Sequence, residues 1–200
     1  MARLVVHPLR DTWVTPNHLT TLRLTLGLLA GAAFAAGTSR ANYVGAALFV
    51  ASMLLDRADG ELARMTGQMS PGGHRYDLIA DATSNAWAFV GIGVGLRHGG
   101  LGWWALPTGL VAGASVTAVL WLVLRTEAAR GLRAAELGSF HGFDPDDAMI
   151  VVPVAVALGL AQPLLLAALV GAPLFALWLA FRLRARREAG ARWPGRPGAR

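Results

Sequence analysis

The sequence contains no cysteine. That excludes disulfides, thiolate zinc sites, iron–sulfur clusters and a cysteine nucleophile. It contains no lysine either: all 18 basic residues are arginine. Schiff-base catalysis and a phosphate-binding loop built on lysine are therefore excluded. Charge is scarce, at 15% of 200 residues, against about 25% in soluble domains. Hydrophobic residues reach 54% and the mean hydropathy is +0.47. This balance excludes an ordinary soluble globular domain. The net charge of +6 comes from arginines flanking apolar runs. It reads as membrane topology, with no nucleic-acid partner.

A membrane-spanning helix needs about 20 mostly apolar residues. Six runs are candidates: 19–38, 43–55, 78–96, 101–124, 148–161 and 163–183. The second continues as a polar helical end through Arg64. The fifth is short and contains Pro153, so a kinked span is expected there. With the N-terminus in the cytoplasm, Arg3, Arg10, Arg57, Arg64, Arg75, Arg125, Arg130, Arg133 and the tail arginines all fall inside. Arg40 and Arg97 fall outside, which is a strong positive-inside bias. Arg23 within the first apolar run, and the mostly polar residues before it, argue against a cleaved signal peptide. Trp103 and Trp104 are expected to anchor at the outer interface. The expected fold is an all-α integral membrane protein of six transmembrane helices. Residues 1–18 form a cytoplasmic or interfacial segment, 19–183 the catalytic membrane domain, and 184–200 an arginine-rich cytoplasmic tail. The inner or plasma membrane is the expected location, with both termini and the active site facing the cytoplasm.

Four aspartates gather at the expected cytoplasmic boundary. Asp56 and Asp59 end the second span, and Asp77 and Asp81 begin the third. Spacings of three and four put each pair on one helix face. The connection between them carries Gly67, Pro71, Gly72 and Gly73, so it turns. Two antiparallel helices then bring four carboxylates together. Such a group must share protons, pair with arginine or bind cations. Arg57, Arg64 and Arg75 are the neutralising candidates if the cluster is purely structural. Oxygen ligands without cysteine or histidine select hard cations such as Mg²⁺, Mn²⁺ or Ca²⁺. A pair of such ions suits in-line displacement at phosphorus. Gly60 leaves room for a ligand to approach, and the planar fork of Arg64 suits a diphosphate.

Written out, the segment is Asp56-x2-Asp59-Gly60-x2-Ala63-Arg64-x8-Gly73-x3-Asp77-x3-Asp81. It resembles the signature of the CDP-alcohol phosphotransferase (CDP-alcohol phosphatidyltransferase) family at every fixed position and spacing. The stretch Thr15-Pro16-Asn17-x-Leu19-Thr20-x2-Arg23 also resembles the family's usual lead-in to the first span. The resemblance implies a six-helix membrane enzyme, commonly a homodimer, active in phospholipid biosynthesis. It implies transfer of an alcohol phosphate from a CDP-alcohol, such as CDP-diacylglycerol, to the hydroxyl of a second alcohol, with release of CMP. It implies metal ligation by Asp56, Asp59, Asp77 and Asp81, with Asp81 also the catalytic base. Mg²⁺ or Mn²⁺, as two ions, is the expected cofactor. Gly60, Ala63, Arg64 and Gly73 carry over as nucleotide-binding positions.

The acceptor is less legible. Arg125 and Arg133 face the same side as the aspartates and are candidates to bind a polyol phosphate such as inositol phosphate or glycerol phosphate. His141 is a candidate metal ligand or base, and Asp146 and Asp147 are candidate caps of the fifth helix. Arg23 is left open between the cytoplasmic surface and the acidic site. Three alternatives remain. One is a soluble CDP-polyol donor. Another is a cation transporter, which would place acidic residues near mid-span. The last is a structural membrane protein, which leaves the Gly-Arg-Asp spacing unexplained.

Overall fold

The structure, a computed structural model, describes residues 6–10, 12–130 and 149–191, without the side chains of 120, 123–130 and 182–191. Among the described residues there are helices and no strands. Six α-helices follow one another: α1 (Pro16–Ala35), α2 (Ser39–Thr66), α3 (Pro71–Gly95), α4 (Ala105–Arg130), α5 (Val151–Ala157) and α6 (Ala161–Ala191). Among the described residues two stretches, Pro16–Ala35 and Ala161–Phe181, are long and apolar enough to cross a membrane.

The helix ends follow local chemistry. Pro16 opens α1 at a position where no amide donor is needed. His18 Nδ1 accepts from the Thr15 amide at 3.2 Å. Thr38 caps α2 by accepting from the Ala41 amide. Gly67 ends α2 in the left-handed conformation, at φ 68°. Ser70 caps α3 by accepting from the Gly73 amide at 3.0 Å. The turn between the acidic pairs is therefore only 67–70. Gly72 and Gly73, expected in that turn, lie in the first turn of α3.

The fifth run differs most from expectation. Among the described residues α5 has seven residues, about 10 Å at 1.5 Å each, and is too short to span. Pro153 stands in its first turn and is buried. A helix needs no amide donor there, so Pro153 costs α5 no backbone hydrogen bond. Gly159, at φ 76°, turns the chain into α6. That last helix runs on to Ala191, into the arginine-rich tail.

The helix α1 packs on both α2 and α3; α3 also packs on α4, α4 on α6, and α5 on α2. One core cluster joins Phe34, Phe49, Phe89, Ile92, Val156 and Leu165. A second, smaller one joins Val6, Leu19, Ala58 and Leu62. It fixes the N-terminal segment, with its short turn His7–Leu9, against the polar ends of α1 and α2. At the other end Arg97 Nη1 donates to the carbonyls of Ala35 and Val94, joining the ends of α1 and α3. Large apolar side chains such as Leu29, Leu54, Leu110, Leu177 and Phe181 face outward. Trp103 and Trp104 also stand exposed.

Candidate active site

Three helices bring the polar residues together at one end of the bundle. Asp56 and Asp59 come from α2, Asp77 and Asp81 from α3, and Thr20 and Arg23 from α1. One carboxylate oxygen from each of Asp56, Asp59 and Asp77 lies within 4.8 Å of the others. This oxygen-only group has the chemistry of a hard-cation site. Asp81 stands beside it, accepting from Asn85 Nδ2 at 3.3 Å.

Arg23 occupies the middle of the four. Its side chain is 3% exposed. Nη1 donates to Asp56 Oδ1, and Nη2 to Asp77 Oδ1 at 2.7 Å and to the Asp77 carbonyl. Nε lies 3.7 Å from Asp59 Oδ2, and Nη1 lies 3.7 Å from Asp81 Oδ1. The open question about Arg23 is thus decided in favour of the acidic site. Arg64, a neutralising candidate, instead donates to Glu61 Oε2 at 2.8 Å.

Asp59 is the most enclosed of the acids, at 5% side-chain exposure. It lies beyond the apolar part of α2, in the polar extension. Burial pushes its carboxyl up from 3.8 to about 6. A hydrogen bond from Thr20 Oγ1, at 2.8 Å, pulls the other way, as does Arg23.

Two cavities flank the cluster. The larger, about 630 Å³, is lined by Asp59, Asp77, Gly60, Ala63, Arg64 and Gly73, among others. All four expected nucleotide positions thus share one space with two of the aspartates. Its volume falls in the usual range for small-ligand sites, about 300–1,000 Å³. Asn17, Gln68, Ser70 and His74 line it too, and the last three were not singled out from sequence. Asn17 and Thr20 do belong to the lead-in motif, and a three-residue step from Thr20 to Arg23 puts these two on one helix face. The smaller cavity, about 30 Å³, lies against Arg23, Asp56, Asp81, Arg57, Asn85 and Met149. Asp81 opens onto this side and is not part of the larger cavity's lining.

The expected acceptor residues are not placed. Arg125 falls within α4, but its side chain lies outside the described residues. Arg133, His141, Asp146 and Asp147 lie outside them altogether.

Comparison with known proteins agrees with this geometry. Residues 13–183 match the CDP-alcohol phosphatidyltransferase family. The chain is also similar to a bifunctional IPC transferase and DIPP synthase of Rubrobacter xylanophilus, 35% identical over 123 residues. That match covers 62% of this chain and 27% of the relative, so the chain spans about a quarter of that protein's length. The family match takes in the whole acidic motif, both flanking cavities and all six helices up to 183, and on it the chain belongs to the CDP-alcohol phosphatidyltransferase family.

Proposed function

We propose that this enzyme, embedded in a membrane, transfers the alcohol phosphate of a CDP-alcohol to the hydroxyl of a second alcohol and releases CMP. The observation that carries the reading is the shared cavity. Gly60, Ala63, Arg64 and Gly73 line it together with Asp59 and Asp77. A nucleotide diphosphate there lies against carboxylates suited to Mg²⁺ or Mn²⁺. Asp56, Asp59 and Asp77 would hold the ion, with Asp81 completing the set. When bound, such ions neutralise charge developing on phosphorus and on the leaving phosphate.

The chain's own groups do the rest. Gly60 keeps the α2 wall open. A methyl built on it would meet only the Arg64 guanidinium, at 3.8 Å. Arg64 offers a planar fork to phosphate oxygens. Asp81 accepts the proton of the attacking hydroxyl. The new bond joins that oxygen to phosphorus, and the bond from phosphorus to the CMP oxygen breaks, its electron pair leaving with CMP. Asp81 lines the smaller cavity and not the larger one. In-line displacement needs attack and departure on opposite sides of phosphorus.

The donor we propose is CDP-diacylglycerol and the acceptor a polyol phosphate, inositol phosphate or glycerol phosphate. A second reading takes a soluble CDP-polyol as donor. It is favoured by the Rubrobacter relative, which is named an IPC transferase and DIPP synthase. The test is CMP release by purified protein in detergent with Mg²⁺ and CDP-diacylglycerol. Inositol phosphate, glycerol phosphate, inositol and serine are supplied in turn, with Asp81→Asn as control. Release with one acceptor, lost in the variant, establishes the reaction. Metal-dependent CDP binding without release moves the donor to a CDP-polyol. No CDP binding overturns the nucleotide assignment of the cavity.

A further inference from the structure

We propose that Arg23 is the built-in counter-cation of the aspartate cluster. It holds the carboxylates together when no divalent ion is bound, and it competes with that ion for the same carboxylates. The inference rests on reading the aspartates as a divalent-cation site.

The argument begins with placement. Arg23 lies in the apolar first helix, where an unpaired charge is expensive. Its partners are acids from two other helices, and its two Nη atoms are engaged by Asp56 and Asp77. Those two residues, with Asp59, supply the oxygens that lie within 4.8 Å of one another. The guanidinium therefore engages two of the three carboxylates that a hard cation would use. Asp59 and Asp81, both at 3.7 Å, are within Coulomb range but beyond hydrogen-bond range.

The position is a compromise among four acids and not one optimised pair. Nε is buried and has no hydrogen-bond partner. A buried donor left unmade is costly, so the fork is not seated in a site shaped for it alone. Charge makes the same point. Four carboxylates and the Arg23 guanidinium sum to three negative charges when all four acids are ionised, with Arg57 at the cavity edge beside Asp56 and Asp81 offsetting a further part. Arg23 offsets part of the mutual repulsion, and the remainder draws a divalent ion. Binding that ion places two cations beside the same carboxylates, so Arg23 weakens the site for metal and keeps binding reversible. Arg23 is thus a positioning residue. It acts through the aspartates and does not itself touch the reacting atoms.

The test compares wild type with Arg23→Gln and Arg23→Lys, each as the full chain in detergent. Mn²⁺ binding is titrated by electron paramagnetic resonance, and thermal unfolding is followed with and without Mg²⁺. Arg23→Gln is expected to bind Mn²⁺ about tenfold more tightly, because a neighbouring positive charge is gone. Its Tm without cation falls, and Mg²⁺ raises that Tm by more than it does in wild type. Arg23→Lys keeps the charge and stays near wild-type affinity. A merely structural arginine would lower Tm equally with and without Mg²⁺ and leave Mn²⁺ affinity unchanged. That result overturns the inference while the metal reading survives. Wild-type protein that binds no Mn²⁺ overturns the metal reading itself. If Arg23→Gln is recovered only with Mg²⁺ present, the proposal holds. If it is not recovered at all, the Arg23→Gln/Asp56→Asn double variant decides. It removes one cation and one anion together and is expected to fold; failure to fold any better than the single variant overturns the proposal.

Discussion

Thr20 donates to Asp59, the most enclosed acid of the site. Both groups are buried, and the oxygens are 2.8 Å apart. Thr20→Val keeps the shape and removes the donor. A buried carboxylate that loses a hydrogen bond costs about 1–3 kcal/mol, read as a lower Tm. The same change acts on protonation. The Asp59 carboxyl stands at about 6 because burial raises it while the Thr20 bond lowers it. Only its ionised form ligates a cation, so protons compete with metal below that value. Mn²⁺ affinity in wild type is expected to fall as the pH drops through about 6. In Thr20→Val that fall begins at higher pH. A Mn²⁺ titration over a pH series checks both the limb and its movement, and an unmoved limb would separate Asp59 from cation binding.

Helix packing explains why glycines of one sequence type do opposite work. A methyl on Gly91 of α3 would come within 2.1 Å of the Gly31 carbonyl on α1. Backbone cannot yield there, so Gly91→Ala must force α1 and α3 apart, at about 1–3 kcal/mol for overpacking. Gly60 faces open cavity, and the helix interior gains about 0.5–1 kcal/mol from alanine over glycine. Gly60→Ala is therefore expected to hold or raise Tm while weakening CDP binding. Gly91→Ala is expected to lower Tm in the presence or absence of CDP. Thermal unfolding with and without CDP separates the two, and a Gly60→Ala variant that binds CDP like wild type removes Gly60 from the nucleotide site. The same elements show what the sequence disclosed. The acidic pairs were legible because helix periodicity alone sets spacings of three and four on one face. That Gly60, Ala63, Arg64 and Gly73 share one space was legible through the motif. The role of Arg23 was not, since its partners stand 33 and 54 residues away and no local spacing encodes that meeting. Nor was the brevity of α5 legible, because an apolar run bounded by glycine and proline has the same hydropathy as a short helix or as a span.

At the scale of the whole molecule, the site and its substrates must share a side of the membrane. The connections following α1 and α3 lie at one end of the bundle, where Arg97 ties the ends of α1 and α3 and Gly100 sits against Gln162. The 67–70 turn and both cavities lie at the other end. The proposed use of a CDP-alcohol from the cytoplasm requires that second end to face inward, the side the positive-inside rule gives to arginines. Because the chain has no cysteine, introduced cysteines report this without background. Exposed His98 and Met69 mark the two ends. His98→Cys is expected to react with a membrane-impermeant maleimide in intact cells, and Met69→Cys only after permeabilisation. The reverse pattern would put the nucleotide cavity away from its donor, and the proposed reaction could not run in the cell however well the aspartates are arranged for it.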